Sequence, residues 1–138
     1  MESYADDVSL LSEFETRKQY IDPELKKQGW LPKYIKEEVN SVKSNFKDKN
    51  IILFDGNPQQ NVDRFIDYVL LDEDYTPLAI IEAKRFSKDA NTGRIQARTY
   101  SLDIENQINQ KVPIFLTNGQ KWVFIDEYGI ERKVSGPF

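Results

Sequence analysis

The sequence predicts an α/β fold in which a mixed central β-sheet is flanked by helices. Three observations predict it. Helical and strand patterns follow one another as helix, strands, helix, strands within 138 residues, the length of a single domain spanning 1–138. Residues 64–71 and 78–85 form two runs that are apolar on both faces, as strands covered on both sides are. Residues 112–126 hold a further strand pair around Asn118-Gly119.

Taken in order, residues 1–11 read as a disordered lead-in. Ser12-x-x-Glu15 has the form of a capping box and opens a helix carrying Phe14, Arg17, Lys18 and Ile21. Asp22-Pro23 restarts that helix, aspartate as N-cap and proline in the first turn, with Leu25 toward the core. Gly29 stops it, and Trp30-Leu31 follow as an apolar plug. Residues 34–42 fit a helix through Ile35, Val39 and Val42, or a strand through Tyr34, Glu37 and Val39. Residues 43–50 are polar and basic and read as a loop. Ile51-Ile52-Leu53-Phe54 reads as a short strand closed by the turn Asp55-Gly56-Asn57-Pro58. Between the two central runs, Asp72 to Pro77 is polar and ends in proline, which suits a hairpin. Residues 86–93 are polar, with Ser87, Asp89 and Asn91 as candidate caps. A helix then starts at Arg94 and runs to Gln107. Gln96 and Tyr100 share one of its faces and Arg94 and Arg98 a neighbouring one. Val112 to Thr117 is a strand with proline near its start. Asn118-Gly119 is a two-residue hairpin signal, and Lys121 to Asp126 returns as the partner strand. Tyr128-Gly129 makes another turn.

Composition excludes several chemistries. There is no cysteine, hence no disulfide, no thiolate zinc site and no thiol nucleophile. There is no histidine, which removes the commonest general base and zinc ligand. A metal would be held by oxygen, which favours Mg²⁺ or Mn²⁺. No GxxxxGK[ST] loop occurs, so the segment has no ATP site of that kind. No apolar run reaches membrane-spanning length and no signal peptide is visible, which makes the cytoplasm the expected compartment and no membrane a partner. A net charge of −4 counts against a dedicated nucleic-acid binder. A catalytic module delivered by other domains need not be basic.

The two central runs carry charge in their middles. In a hairpin that pairs Leu71 with Leu78, the same register sets Asp67 across from Glu82, with Cβ atoms roughly 5 Å apart. Glu82 and Lys84 share a face with Leu78 and Ile80. Two buried carboxylates so close repel each other. A shared proton, the Lys84 ammonium or a divalent cation would relieve them. A structural salt bridge between Lys84 and one carboxylate is the plainer alternative.

An acidic residue on one strand followed by Glu-x-Lys on the next resembles the PD-(D/E)XK nuclease superfamily. Glu-x-Lys recurs at Glu24-Leu25-Lys26 and Glu131-Arg132-Lys133, but only Glu82 follows a two-sided apolar strand with an acid opposite. Five pieces in order are similar to the N-terminal nuclease domain of the type I restriction enzyme R subunit. They are Glu13-x-x-Thr16-Arg17-x-x-Tyr20-Ile21-Asp22-x-x-Leu25-x-x-x-Gly29-Trp30, then Ile66-Asp67-Tyr68, Ile81-Glu82-Ala83-Lys84, Gln96-x-x-x-Tyr100 and Thr117-Asn118-Gly119-x-x-Trp122. One departure is Ile66 where the superfamily name has proline.

The resemblance implies a restriction-endonuclease-like core with residues 34–42 as its first strand. It implies Asp67, Glu82 and Lys84 as catalytic residues, with Gln96 and Tyr100 against the site; for Gln96 and Tyr100 the alternative is ordinary amphipathic-helix surface, with Ile95, Leu102 and Ile104 turned inward. It implies Mg²⁺, with Mn²⁺ as a substitute, held by Asp67, Glu82 and the Ala83 carbonyl, with Glu13 adding to the shell. Arg17, Arg94 and Arg98 are candidate phosphate contacts; solvated surface charge is the alternative for each. Double-stranded DNA would be the substrate. Modification and specificity subunits and ATP-driven translocase domains would be the partners, the segment being part of a longer R subunit. Two other functions stay open: a non-catalytic docking module on the nuclease fold, and a small stand-alone nuclease.

Overall fold

A computed structural model describes residues 11–41, 44, 46 and 65–137. The expected lead-in up to residue 10 and the expected strand at Ile51 to Phe54 with its turn lie outside the described residues.

Among the described residues, six strands form one sheet in sequence order: β1 (Ile35–Asn40), β2 (Phe65–Leu71), β3 (Pro77–Ala83), β4 (Ile114–Thr117), β5 (Trp122–Ile125) and β6 (Glu131–Val134). All neighbours are antiparallel except β3 and β4, which are parallel. A parallel pair needs a long crossover, and α3 (Arg94–Ile108) supplies it. The mixed sheet flanked by helices is therefore as expected.

Each face of the sheet carries its own core. On one face, Ala97, Tyr100 and Ile104 of α3 pack with Ile80, Leu116, Val123 and Ile125. On the other, Ile21 and Leu25 pack with Tyr68, Leu70, Ile81, Ala83, Phe115 and Trp122. β2 and β3 are buried from both sides, which is why their sequences do not alternate.

Several local expectations change. Ser12 and Glu15 do form the capping box. The helix they open is not restarted at Asp22, however. α1 (Glu13–Thr16) runs through a π-helical segment (Arg17–Ile21) directly into α2 (Asp22–Lys27), and Asp22 itself is helical. Pro23 has no N–H for the Gln19 carbonyl, so the ladder is already interrupted where the wider turn occurs. Gly29 ends the run at φ +92° as expected, with Trp30 N–H closing on the Leu25 carbonyl at 3.0 Å. Trp30 packs against the core, but Leu31 is exposed.

Leu71 pairs with Pro77, not Leu78. Leu78 is the extra residue of a bulge and turns outward. Leu70 still pairs with Ala79, so the expected register survives one residue further in. Asn118-Gly119 lies in a four-residue loop, because Thr117 pairs with Trp122. The Asn118 carboxamide oxygen accepts from the Gln120 and Lys121 N–H groups and ties that loop. In α3, Ile95 and Leu102 face solvent rather than the core. Phe46, in the stretch read as a polar loop, is buried. β6 was not anticipated.

Candidate active site

The β2–β3 ladder is paired as far as Tyr68 and Ile81. Beyond it the Asp67 carboxylate takes over, its Oδ2 accepting from the Ala83 N–H at 2.7 Å. On the other side of β3, the Lys84 N–H donates to the Thr117 carbonyl at 2.8 Å. The C-terminal end of β3 is thus clamped between a side chain and a parallel strand. Glu82 and Lys84 project from it toward the α3 side, the face of Ile80.

Glu82 is 4% exposed. Its Oε2 lies 3.6 Å from Lys84 Nζ, while Oε1 is buried without a hydrogen-bond partner. Burial first, then the nearby Asp67 charge, pushes the Glu82 carboxyl up to about 9, against the pull of Lys84. Burial also raises Asp67, opposed by the Ala83 N–H and by Arg17. Glu13, at the start of α1, is raised by burial and by Asp67, and feels Lys84 and Arg17. Three acids and one lysine, Glu13, Asp67, Glu82 and Lys84, therefore feel one another's charge.

Among the described residues no group of three or more acidic side chains is spaced to hold a metal by itself. The donor set still fits Mg²⁺. That ion keeps several waters and needs only one or two carboxylates. Asp67 and Glu82 supply two, and the unpartnered Oε1 of Glu82 is a buried acceptor that a cation would satisfy.

The remaining candidates divide. Gln96 Oε1 accepts from Lys84 Nζ at 3.4 Å, so Gln96 reaches the site. Tyr100 is buried in the α3-side core, one turn deeper. Arg17 is not a surface cation. It is 5% exposed, bound to Glu37 at 2.6 Å and Glu38 at 3.1 Å, and lies 4.9 Å over the Tyr68 ring. Burial with two carboxylates turns it away from any phosphate, and it acts on Asp67 through its field. Arg94 is occupied by Glu131 and by Asn91. Arg98 is exposed, on the rim of a separate cleft of about 400 Å³ with Ser101, Leu102 and Glu105.

Compared with solved structures, the chain matches the fragment structure of "a putative HsdR subunit of a type I restriction enzyme" from Vibrio vulnificus YJ016. The TM-score is 0.64 and the identity 26%, over 92% of this chain and 23% of that one. The chain is related to type I restriction enzymes. It spans less than a quarter of the length of that subunit structure. No protein-family model matches it, and no curated protein does.

Sequence reasoning missed two parts of this site. Gly93, the N-cap of α3, abuts it: a Cβ there would lie 2.6 Å from Glu82 Cγ and 3.2 Å from Lys84 Cε. The available signal was a glycine closing the polar stretch just before a helix. The second is the prop behind β2, where the Tyr68 hydroxyl donates to Asp22 and the Arg17 guanidinium covers the ring.

Proposed function

We propose that the chain is a Mg²⁺-dependent endonuclease domain that hydrolyses DNA phosphodiester bonds within a type I restriction enzyme. The observation that carries this reading is the facing pair Asp67 and Glu82. Asp67 caps the end of β3 and shares a side-chain hydrogen bond with Glu82, so in the metal-free chain a proton relieves the pair; a cation would take that proton's place and also satisfy the buried Oε1 of Glu82. Lys84 beside them supplies the cation that a phosphoryl-transfer site needs at the developing charge.

Asp67 and Glu82 would hold the ion, with the Ala83 carbonyl and Glu13 as further oxygen donors. When bound, Mg²⁺ would polarise the scissile phosphate and acidify an attacking water. The chain's own groups do the rest. Lys84 Nζ, held between Gln96 and Glu82, orients that water by hydrogen bonding and stabilises the negative charge gathering on the phosphoryl oxygens. Gln96 fixes the ammonium without adding charge. Tyr100 anchors the α3 turn that carries Gln96 in the core. Gly93 lets the start of α3 approach the acids closely enough for Gln96 to reach. With no histidine in the chain, no side-chain general base of that type competes for the role. Modification and specificity subunits, and translocase domains of the same enzyme, would deliver the DNA; the acidic net charge of this part fits such a division.

The test is nicking or linearisation of supercoiled DNA by the chain with Mg²⁺ or Mn²⁺, alongside Glu82→Gln and Lys84→Ala. Metal-dependent cutting that both substitutions remove supports the reading. Cutting that survives either one overturns the assignment.

A further inference from the structure

A second feature lies beside the acids. Phe86, Lys88, Asn91, Asn118, Lys121 and Lys133 are among the residues that wall a cleft of about 680 Å³. Its near wall is the stretch that leaves Lys84 and leads into Gly93, so cleft and acidic site share one partition. Its far wall is formed by β5 and β6, with Val123 and Lys133 on the face of Glu82 and Trp122 and Val134 on the opposite one. The strand pairings run Glu82 to Leu116, Leu116 to Val123 and Val123 to Lys133. Residues paired across neighbouring strands share a face, so Lys133 stands in the row of Glu82, three strands away. At the usual strand spacing that is roughly 14 Å, about four base-pair steps of duplex DNA.

The three lysines are exposed, and among the described residues no ion pair holds any of them. Arg17, Lys18, Lys84 and Arg94 are each paired with an acid. Lys26, Lys27 and Lys33 are in no ion pair among the described residues either, so what distinguishes the cleft lysines is their place around one concavity. Two acids come near. Glu131, on the same face of β6 as Lys133, is taken by Arg94. Asp89 is in the wall; its carboxylate accepts from the Asn91 backbone and side-chain N–H groups and also feels the Lys121 charge without forming an ion pair with it. Asn91, Asn118 and Gln120 add polar groups between the lysines. In a chain of net charge −4, three exposed ammonium groups around one concavity, against one lining carboxylate, suit a polyanion lying along it.

We propose that the cleft walled by Lys88, Lys121 and Lys133 holds the phosphodiester backbone of nucleic acid on the flank of the Asp67–Glu82–Lys84 cluster. The proposal rests on the hydrolytic reading for its choice of ligand. The cleft positions the strand and reads no base, since backbone contacts fix register without sequence information.

The test is fluorescence anisotropy of a labelled duplex of about 20 base pairs with the chain in EDTA, across a salt series. Three proteins are compared: wild type, the triple variant Lys88→Ala, Lys121→Ala, Lys133→Ala, and a charge-matched control, Lys26→Ala, Lys27→Ala, Lys33→Ala. The cleft variant is expected to bind at least roughly tenfold more weakly near 50 mM salt, its log–log salt slope flattened by about 0.9 per lysine removed. The control is expected to stay near wild type. Equal losses in both variants, unchanged binding in the cleft variant, or no wild-type binding at low salt would each overturn the proposal. Cutting is read separately with Mn²⁺. Binding as expected with no cutting leaves the cleft standing and removes the hydrolytic reading; cutting with no effect of the cleft variant does the reverse.

Discussion

At the scale of single residues, Glu82 sets the character of the site. Its carboxyl titrates near 9 in the folded chain against an ordinary 4.5. Between those values the folded chain keeps a proton that the unfolded chain has released. Stability to unfolding therefore falls as pH rises through that window. Asp67, also raised, adds in the same direction. The urea midpoint of the metal-free chain should drop between about pH 5 and pH 9, and Glu82→Gln should flatten the profile because amide and protonated acid carry no charge. A wild-type profile that rises over the same range would show that Glu82 is ionised and stabilised in the fold. Lys84→Ala should leave the midpoint near wild type at neutral pH and lower cleavage by about 10²–10³-fold, the scale of removing one stabilising donor. Gln96→Ala should cost less, since it acts through Lys84. The acids and the lysine were legible in the sequence because charge inside a two-sided apolar strand is conspicuous. Arg17 was not: its partners Glu37 and Glu38 lie some twenty residues away on another element, and no local spacing announces them.

Elements bring these residues together, and the start of α3 is where the fit is tightest. Gly93 has φ −90°, a conformation any residue adopts, so a substitution there meets only steric resistance. Gly93→Ala forces a methyl to 2.6 Å from Glu82 Cγ. Overpacking of that kind costs about 1–3 kcal/mol and should lower the melting temperature and cleavage together. Gly29→Ala is the counterpart. It has open space but φ +92°, so it should cost about 1–2 kcal/mol of backbone strain and leave cleavage per folded molecule unchanged. Differential calorimetry with cleavage measured on the folded fraction separates the two. The register of β2 against β3 was readable despite a misjudged turn, for a physical reason. Slipping by one residue would exchange the faces of two strands, so the ladder keeps its register and the bulge at Leu78 absorbs the mismatch. β6 was not readable: Glu131 to Val134 has no apolar alternation, having one neighbour among the described residues and only Val134 packed inward while Glu131, Arg132 and Lys133 are exposed. The π-helical segment was hidden because Asp-Pro more often begins a helix than sits inside one.

On the scale of the whole molecule, metal, proton and fold are linked, and the linkage can be measured without any DNA. The metal-free chain holds a neutral Glu82, stabilised by its proton; a dication would need the carboxylate. Binding must therefore expel that proton, and affinity should rise with pH where the metal-free fold is weakening. A ligand that binds the native chain alone raises stability by about 2.7 kcal/mol when present at 100 times its dissociation constant. Thermal melts with Mn²⁺ should thus show an upward shift that is larger near pH 8.5 than near pH 6. Glu82→Gln should abolish the shift at both. Lys84→Ala should keep it, or enlarge it, because removing a nearby ammonium leaves the acids more negative. A shift that is independent of pH, or that persists in Glu82→Gln, would place the cation elsewhere on this acidic surface. The absence of any shift in wild type at millimolar Mn²⁺ would leave the facing acids as a proton-sharing structural pair, and the chain as a docking domain of its assembly.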